Sequence, residues 1–130
     1  MFSVGVDIIE ISRIAGALDR WGTRFLNKIY TPAEVAYCKG GVQELAARFA
    51  AKESVSKALG TGIRGITWRE MEILAEPSGK PLVRLHGNAK EVASRLGLRH
   101  FEVSLSHTRE LAIAFVVADG ERSFSRERSR

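Results

Sequence analysis

Arg48-Phe-Ala-Ala-Lys-Glu-Ser-Val-Ser-Lys57, closed by Gly60-Thr-Gly62, is the stretch from which the rest of the chain is read. The spacing predicts the end of a long helix over residues 42–59, with Gly60 as a left-handed stop. Glu53 and Lys57 stand four residues apart and therefore share one face. Alanines at 46, 47, 50 and 51 keep the helix slim, so another backbone or a ligand can approach closely. A carboxylate beside an ammonium, with Arg48 and Lys52 nearby, suits a metal ion and the phosphates it neutralises. Alone, such a Glu–Lys pair is usually a solvated surface bridge worth ~0.3–0.5 kcal/mol. Its weight changes because of a second acidic residue far away in sequence, Asp7.

Asp7 lies inside Phe2-Ser-Val-Gly-Val-Asp-Ile-Ile-Glu-Ile11, a run that alternates like a strand. Val4, Val6 and Ile8 fall on one face; Gly5, Asp7 and Ile9 fall on the other. A carboxylate among β-branched residues is costly to bury unless a cation or donors compensate it. An Asp near a strand's end can equally accept hydrogen bonds from the turn before the next helix. The segment by itself leaves both readings open.

Working outward, helices are grouped between this first strand and a later set of strands. Ser12 is expected to cap a helix with an apolar stripe of Ile14, Leu18, Trp21 and Phe25, broken at Gly22-Thr23. Thr31-Pro-Ala-Glu34 carries the signals of a helix start: a capping threonine, proline at the first helical position and glutamate three residues on. Gly40-Gly41 separates this helix from the long one. Strands are predicted over residues 67–75 and 82–86, joined by Pro77-Ser-Gly-Lys-Pro81. A short helix over 87–97 and a hairpin of 101–106 with 111–118 complete the order. Leu111, Ile113, Phe115 and Val117 alternate with Ala112, Ala114 and Val116, so the last strand is apolar on both faces and expected to be covered on both. The pattern is that of an α+β fold in one domain over 1–119. The basic tail over 120–130 has no periodicity and is expected to be disordered.

At 130 residues the chain can bury a core without disulfides or a structural metal. No apolar run is long enough to span a membrane. The first strand begins almost at Met1 and leaves no room for a signal peptide, so a cytoplasmic protein is expected. The single cysteine, Cys38, excludes an internal disulfide and reads as a small core or interface residue; His86, His100 and His107 lack zinc spacing. A net charge of +5 points to an anionic partner without choosing among nucleic acid, membrane surface and acidic protein. A small basic nucleic-acid-binding module without catalysis is the competing class. Against it, aromatic residues are few and not interleaved with basic ones, and no helix-turn-helix or zinc pattern is present.

Gly60-Thr-Gly-Ile-Arg-Gly65 matches G-x-G-x-x-G letter for letter but follows a helix instead of joining a strand to one, which excludes a dinucleotide fold. The loop offers backbone N–H groups to a phosphate, or close approach to a ligand, or is a plain helix-ending turn. His107 falls at the rim of an apolar strand face, where a structural histidine is common. With no G-x-S-x-G elbow, Ser106 and His107 give no support to a serine hydrolase. Arg13, Arg20 and Arg24 form a basic stripe about 100° around from the apolar one.

Gly5-Val-Asp-Ile-Ile-Glu-Ile11, Arg48-Phe-Ala-Ala-Lys-Glu-Ser54 and Ser104-Leu-Ser-His-Thr-Arg-Glu110, in this order and spacing, resemble the motifs of the holo-acyl-carrier-protein synthases. These are the short-chain branch of the 4′-phosphopantetheinyl transferases, and the likeness runs from about residue 4 to 118. It implies an antiparallel sheet packed with one long helix and shorter ones. It also implies transfer of 4′-phosphopantetheine from coenzyme A to a serine of apo acyl carrier protein, for fatty acid biosynthesis, with release of adenosine 3′,5′-bisphosphate. Such transfers are run mainly by positioning and charge neutralisation.

At residue level, the resemblance assigns Asp7 and Glu53 to Mg²⁺ and makes Asp7, Glu53 and Lys57 the catalytic set. Lys57 would stabilise the pyrophosphate and the departing phosphate, and either Glu53 or a metal-bound water would take the serine proton. Arg48, Ser56, Lys57, Gly60, Thr61, Gly62, Lys80, Pro81, His107 and Thr108 are expected to hold coenzyme A. The first helical region, through Arg13, Ile14, Arg20, Arg24 and Phe25, is expected to dock the acidic helix of the carrier. Family members of this length are homotrimers with the nucleotide between subunits, which fits the doubly apolar last strand.

Overall fold

The computed structural model describes residues 1–120. In chain order these form β1 (Phe2–Glu10), α1 (Ile11–Trp21), α2 (Thr23–Ile29), α3 (Pro32–Cys38), α4 (Val42–Ala58), β2 (Met71–Ala75), β3 (Pro81–Leu85), α5 (Gly87–Leu96), β4 (His100–His107) and β5 (Leu111–Asp119). The α+β order predicted from sequence is present, but the strands divide into two antiparallel sheets, β1-β5-β4 and β2-β3. β3 packs beside β4 without ladder pairing to it. The expected tail lies outside the described residues apart from Gly120.

β5 is central, with Gly5 opposite Val116, Asp7 opposite Ala114 and Ile9 opposite Ala112. α4 crosses β1 and β5. Its alanines 46, 47, 50, 51 and 58 are buried, and they meet a strand face made of Ala112, Ala114, Val116 and Ala118, all fully buried. Small side chains on both surfaces bring the backbones together. At Gly5 a Cβ atom would stand 1.9 Å from the Ser54 carbonyl oxygen, so only glycine permits that distance. Ser54, itself buried, directs its hydroxyl to Ala50 O at 2.8 Å and Ala114 O at 3.0 Å, tying helix to strand.

The helix signals at Thr31 and Gly22 act as predicted. Thr31 accepts from Glu34 N, and Glu34 accepts from Thr31 N, closing a capping box ahead of Pro32. Gly22, at φ 55°, separates α1 from α2. Two expectations fail. α1 begins at Ile11 with Glu10 before it and no side-chain cap, so Ser12 is already helical. Residues 67–70 are not strand: the Glu70 carboxylate accepts from Thr67 N at 3.1 Å and curls Trp68–Glu70 into a 3₁₀ turn. Within one chain, β5 is covered on one face only. On its open side Leu111, Ile113 and Phe115 are exposed beside Val4, Val6 and Ile8 of β1.

Candidate active site

The close contact of Gly5 with α4 carries Asp7, two residues on and facing the same way, to the helix's Glu53–Lys57 face. Lys57 Nζ donates to Val6 O at 2.9 Å and to Asp7 Oδ1 at 3.1 Å. The pair is open to solvent on the lysine side, with Lys57 half exposed and Asp7 at 19 %. Glu53 stands beside them, partly buried. Burial pushes its carboxyl above the usual carboxylate range, and the negative charge of Asp7 adds to the push. Lys57 and Arg13 oppose it. Two carboxylates crowded together next to an ammonium hold a surplus of negative charge that a divalent cation relieves. Among the described residues no group of three His, Cys, Asp or Glu gathers to encase a metal. The donor set therefore fits an ion that takes one or two carboxylates and fills its other positions with water and phosphate, as magnesium does.

The remaining expected residues divide. Ser56 is fully buried and donates to Glu53 O at 2.7 Å, so its hydroxyl faces the helix and not a ligand. Gly60 N bonds Lys57 O, and Thr61 N and Gly62 N both bond Ser56 O. The N–H groups of Gly60, Thr61 and Gly62 are thus spent on the orphan carbonyls of α4, which removes those three as phosphate donors and leaves close approach as their contribution. Arg48 is 5 % exposed; its guanidinium lies 4.4 Å from the centre of the Tyr37 ring, and Nε has no partner. His107 points to the same face of the sheet as Asp7, from the far end of β4, with Thr108 next to it. Lys80, just ahead of Pro81, pairs at 3.4 Å with Glu102, whose side chain belongs to the opposite face. One chain therefore does not bring Lys80 to Asp7, Glu53 and Lys57.

Of the residues expected to dock a partner, Ile14 is 2 % exposed and belongs to the core, because its position on α1 faces α4. Arg13, Arg20 and Arg24 are exposed. Arg24 and Phe25 line an open groove of about 740 Å³ together with Trp21, Lys28, Phe49 and Trp68. Phe49 and Trp68 stack at 4.7 Å and form its aromatic side; neither was expected here. Phe49 had a signal, since it precedes Glu53 by four residues and must share its face. Trp68 had none, because only folding brings it to Phe49.

Lys52 corrects another expectation. Instead of joining Arg48 near phosphates, it is fully buried and paired with Glu34 at 2.8 Å. Helical spacing carried this signal: Lys52 stands in register with Leu45, Val55 and Leu59, all core residues.

Residues 3–126 match the family model of the 4′-phosphopantetheinyl transferase superfamily. The chain is 51 % identical over 127 residues to the holo-acyl-carrier-protein synthase of Herpetosiphon aurantiacus, covering 92 % of this chain and 100 % of that one. It is 53 % identical over 118 residues to that of Dehalococcoides mccartyi, covering 91 % and 98 %. Among solved structures, the Helicobacter pylori synthase in complex with coenzyme A superimposes with a TM-score of 0.82 at 33 % identity, covering 89 % of this chain and 99 % of that one. The Bacillus anthracis synthase, in complex with CoA (3′,5′-ADP), does so with a TM-score of 0.75 at 33 % identity, covering 92 % and 96 %.

Proposed function

The chain belongs to the 4′-phosphopantetheinyl transferase superfamily, and from that premise we propose how its residues carry out the reaction. It is an enzyme that transfers 4′-phosphopantetheine from coenzyme A to a serine of apo acyl carrier protein, leaving adenosine 3′,5′-bisphosphate. The competing reading as a nucleic-acid module has no support in these relatives, all named as synthases.

One observation carries the residue-level reading: Asp7, Glu53 and Lys57 meet at the closest contact between β1 and α4. Asp7 and Glu53 would hold a Mg²⁺ ion. When bound, the ion neutralises charge on the pyrophosphate. Lys57, already held by Val6 O and Asp7, presents a fixed positive charge to the phosphate that departs. The carrier's serine oxygen bonds to the phosphorus bearing the pantetheine arm, and the bond from that phosphorus to the bridging oxygen breaks. Glu53, beside Asp7 at this contact, also supplies the carboxylate oxygen that takes the serine proton. Arg48, His107 and Thr108 hold coenzyme A beyond the pyrophosphate.

The groove between α2, α4 and the 3₁₀ turn docks the carrier. Its aromatic side and its cations Arg24 and Lys28, with Arg20 over the Trp21 ring at 5.1 Å, complement an acidic amphipathic helix. The enzyme is a homotrimer. Supporting this, Val4, Val6, Ile8, Leu111, Ile113 and Phe115 form a contiguous exposed apolar face, which monomers seldom carry. Lys80 and Pro81 then serve a neighbouring copy's nucleotide, in keeping with their position away from their own chain's Asp7. No helix of the described residues is long and apolar enough to cross a membrane, and a cytoplasmic location is part of the same proposal.

Incubation with apo carrier protein, coenzyme A and Mg²⁺, followed by weighing the carrier, tests the reading. Wild-type enzyme adds one phosphopantetheine to a serine and Asp7→Ala adds almost none. Equal transfer by both removes the site assignment.

A further inference from the structure

Lys52 and Glu34 are both at 0 % exposure. An ammonium has three protons to donate, and Lys52 Nζ meets three acceptors: Glu34 Oε1 at 2.8 Å, Met71 O at 2.7 Å and Trp68 O at 3.1 Å. Glu34 accepts in turn from Thr31 N at 2.8 Å and, through Oε2, from Ile73 N at 2.6 Å. The middle of α4 is thereby tied to the start of α3 and to both the entry and the interior of β2. Burial lowers the proton affinity of Lys52, and Glu34 restores part of it.

On its sheet side α4 is tied by Ser54 to Ala114 O and by Ser3 to Ala58 O, and Leu45, Val55 and Leu59 pack in the core. Toward α3 and β2 its charged hold is Lys52. Its buried alanines let it lie close to the sheet, but such small side chains interlock weakly and resist rotation about the helix axis poorly. A carboxylate ~6 Å from that axis moves ~1 Å for a rotation of ~10°, and a misplacement of ~1 Å can lower a rate ~100-fold. A buried ion pair is a poor source of stability, because an apolar pair often replaces it without loss. What it does supply is a direction. We propose that Lys52 is a positioning residue: clamped by Glu34 and two backbone carbonyls, it fixes the rotation of α4 and so the places of Glu53 and Lys57. This rests on the reading of Asp7, Glu53 and Lys57 as the site, and adds to that site a residue which touches no substrate.

The experiment compares wild-type enzyme with Lys52→Met, Lys52→Met/Glu34→Gln and Lys52→Arg in melting temperature, kcat and KM for coenzyme A, with Glu53→Ala as the reference for a broken site. Lys52→Met should melt early, because Glu34 is left buried and unpaired. The double variant removes the unpaired charge and should regain part of the melting temperature. It should stop short of wild type because Trp68 O and Met71 O lose their donor and the Glu34→Gln amide offers one oxygen to two N–H groups. Its kcat should stay at least ~10-fold low, with KM within about threefold. Lys52→Arg keeps the charge, but its planar fork does not fit three acceptors arranged around an ammonium, so kcat should again fall ~10-fold. A double variant that recovers kcat along with its melting temperature overturns the proposal. If that variant does not fold, a Lys52→Arg enzyme with wild-type kcat overturns it equally. An active Glu53→Ala enzyme removes the site reading, and this proposal with it.

Discussion

At the scale of single residues, Asp7 and Glu53 define what the surface can do, since their crowding is relieved by a cation or a proton. Removing either should forfeit several kcal/mol of metal-borne stabilisation. Asp7→Ala and Glu53→Ala should therefore fold normally yet lose at least ~100-fold in kcat/KM. Near-normal rates in either variant at ordinary Mg²⁺ would falsify the metal assignment. The raised proton affinity of Glu53 also has a signature in stability. The metal-free native state binds a proton more tightly there than the unfolded chain does, so stability should fall as pH rises from Glu53's ordinary value through its raised one. Urea midpoints against pH should record that slope, and Glu53→Gln or added Mg²⁺ should flatten it; an unchanged slope in Glu53→Gln places the cause elsewhere. Lys57→Ala should reduce kcat more than coenzyme A affinity, because the charge it meets grows as the phosphate leaves. A change in affinity alone makes Lys57 a ground-state anchor.

Between elements, the contact of β1 with α4 depends on one absent side chain. Gly5→Ala would place a methyl 1.9 Å from the Ser54 carbonyl, forcing strand and helix apart. The cost should be ~1–3 kcal/mol or more, and separating Asp7 from Glu53 should lower activity beyond what the lost stability explains. Chemical denaturation together with kcat, measured well below the melting point, separates the two effects; a variant with wild-type stability contradicts the packing argument. On α1 and α2, Arg20→Glu/Arg24→Glu should raise the KM for carrier protein and leave coenzyme A binding intact. Exposed charges act mainly on encounter and are screened within ~8 Å at physiological salt. The wild-type KM should accordingly climb with salt and that of the double variant should respond far less; an unchanged KM moves the docking surface elsewhere. Arg13 is left out of that test because it lies close enough to influence Glu53.

For the whole molecule, the exposed apolar face of β1 and β5 decides the state in solution. Phe115 is 45 % exposed opposite Val6, so Phe115→Asp sets a charge where a neighbouring copy is expected to pack. Sedimentation should find a trimer for wild type and a monomer for the variant, with transfer lost in the monomer because Lys80 and Pro81 no longer meet a neighbour's nucleotide. A wild-type monomer with full activity removes the shared site.

The helix start at Thr31, the break at Gly22, the stop at Gly60 and the strand faces were legible in sequence, because each follows from local sterics, capping or a period of two or 3.6 residues. Asp7 stood out as a charge inside an apolar strand, while Glu53 and Lys57, an ordinary surface pair by spacing alone, gained weight beside it and through the resemblance to the synthases. Sequence alone did not reveal which way a polar side chain turns once partners from distant segments arrive. Lys52 turned to Glu34, Ser56 to its own helix, the loop N–H groups to the end of α4, and Trp68 to Phe49. Local rules fix where a residue sits along its element; only tertiary packing, by deciding which groups lose water and which partners replace it, fixed what each of them binds.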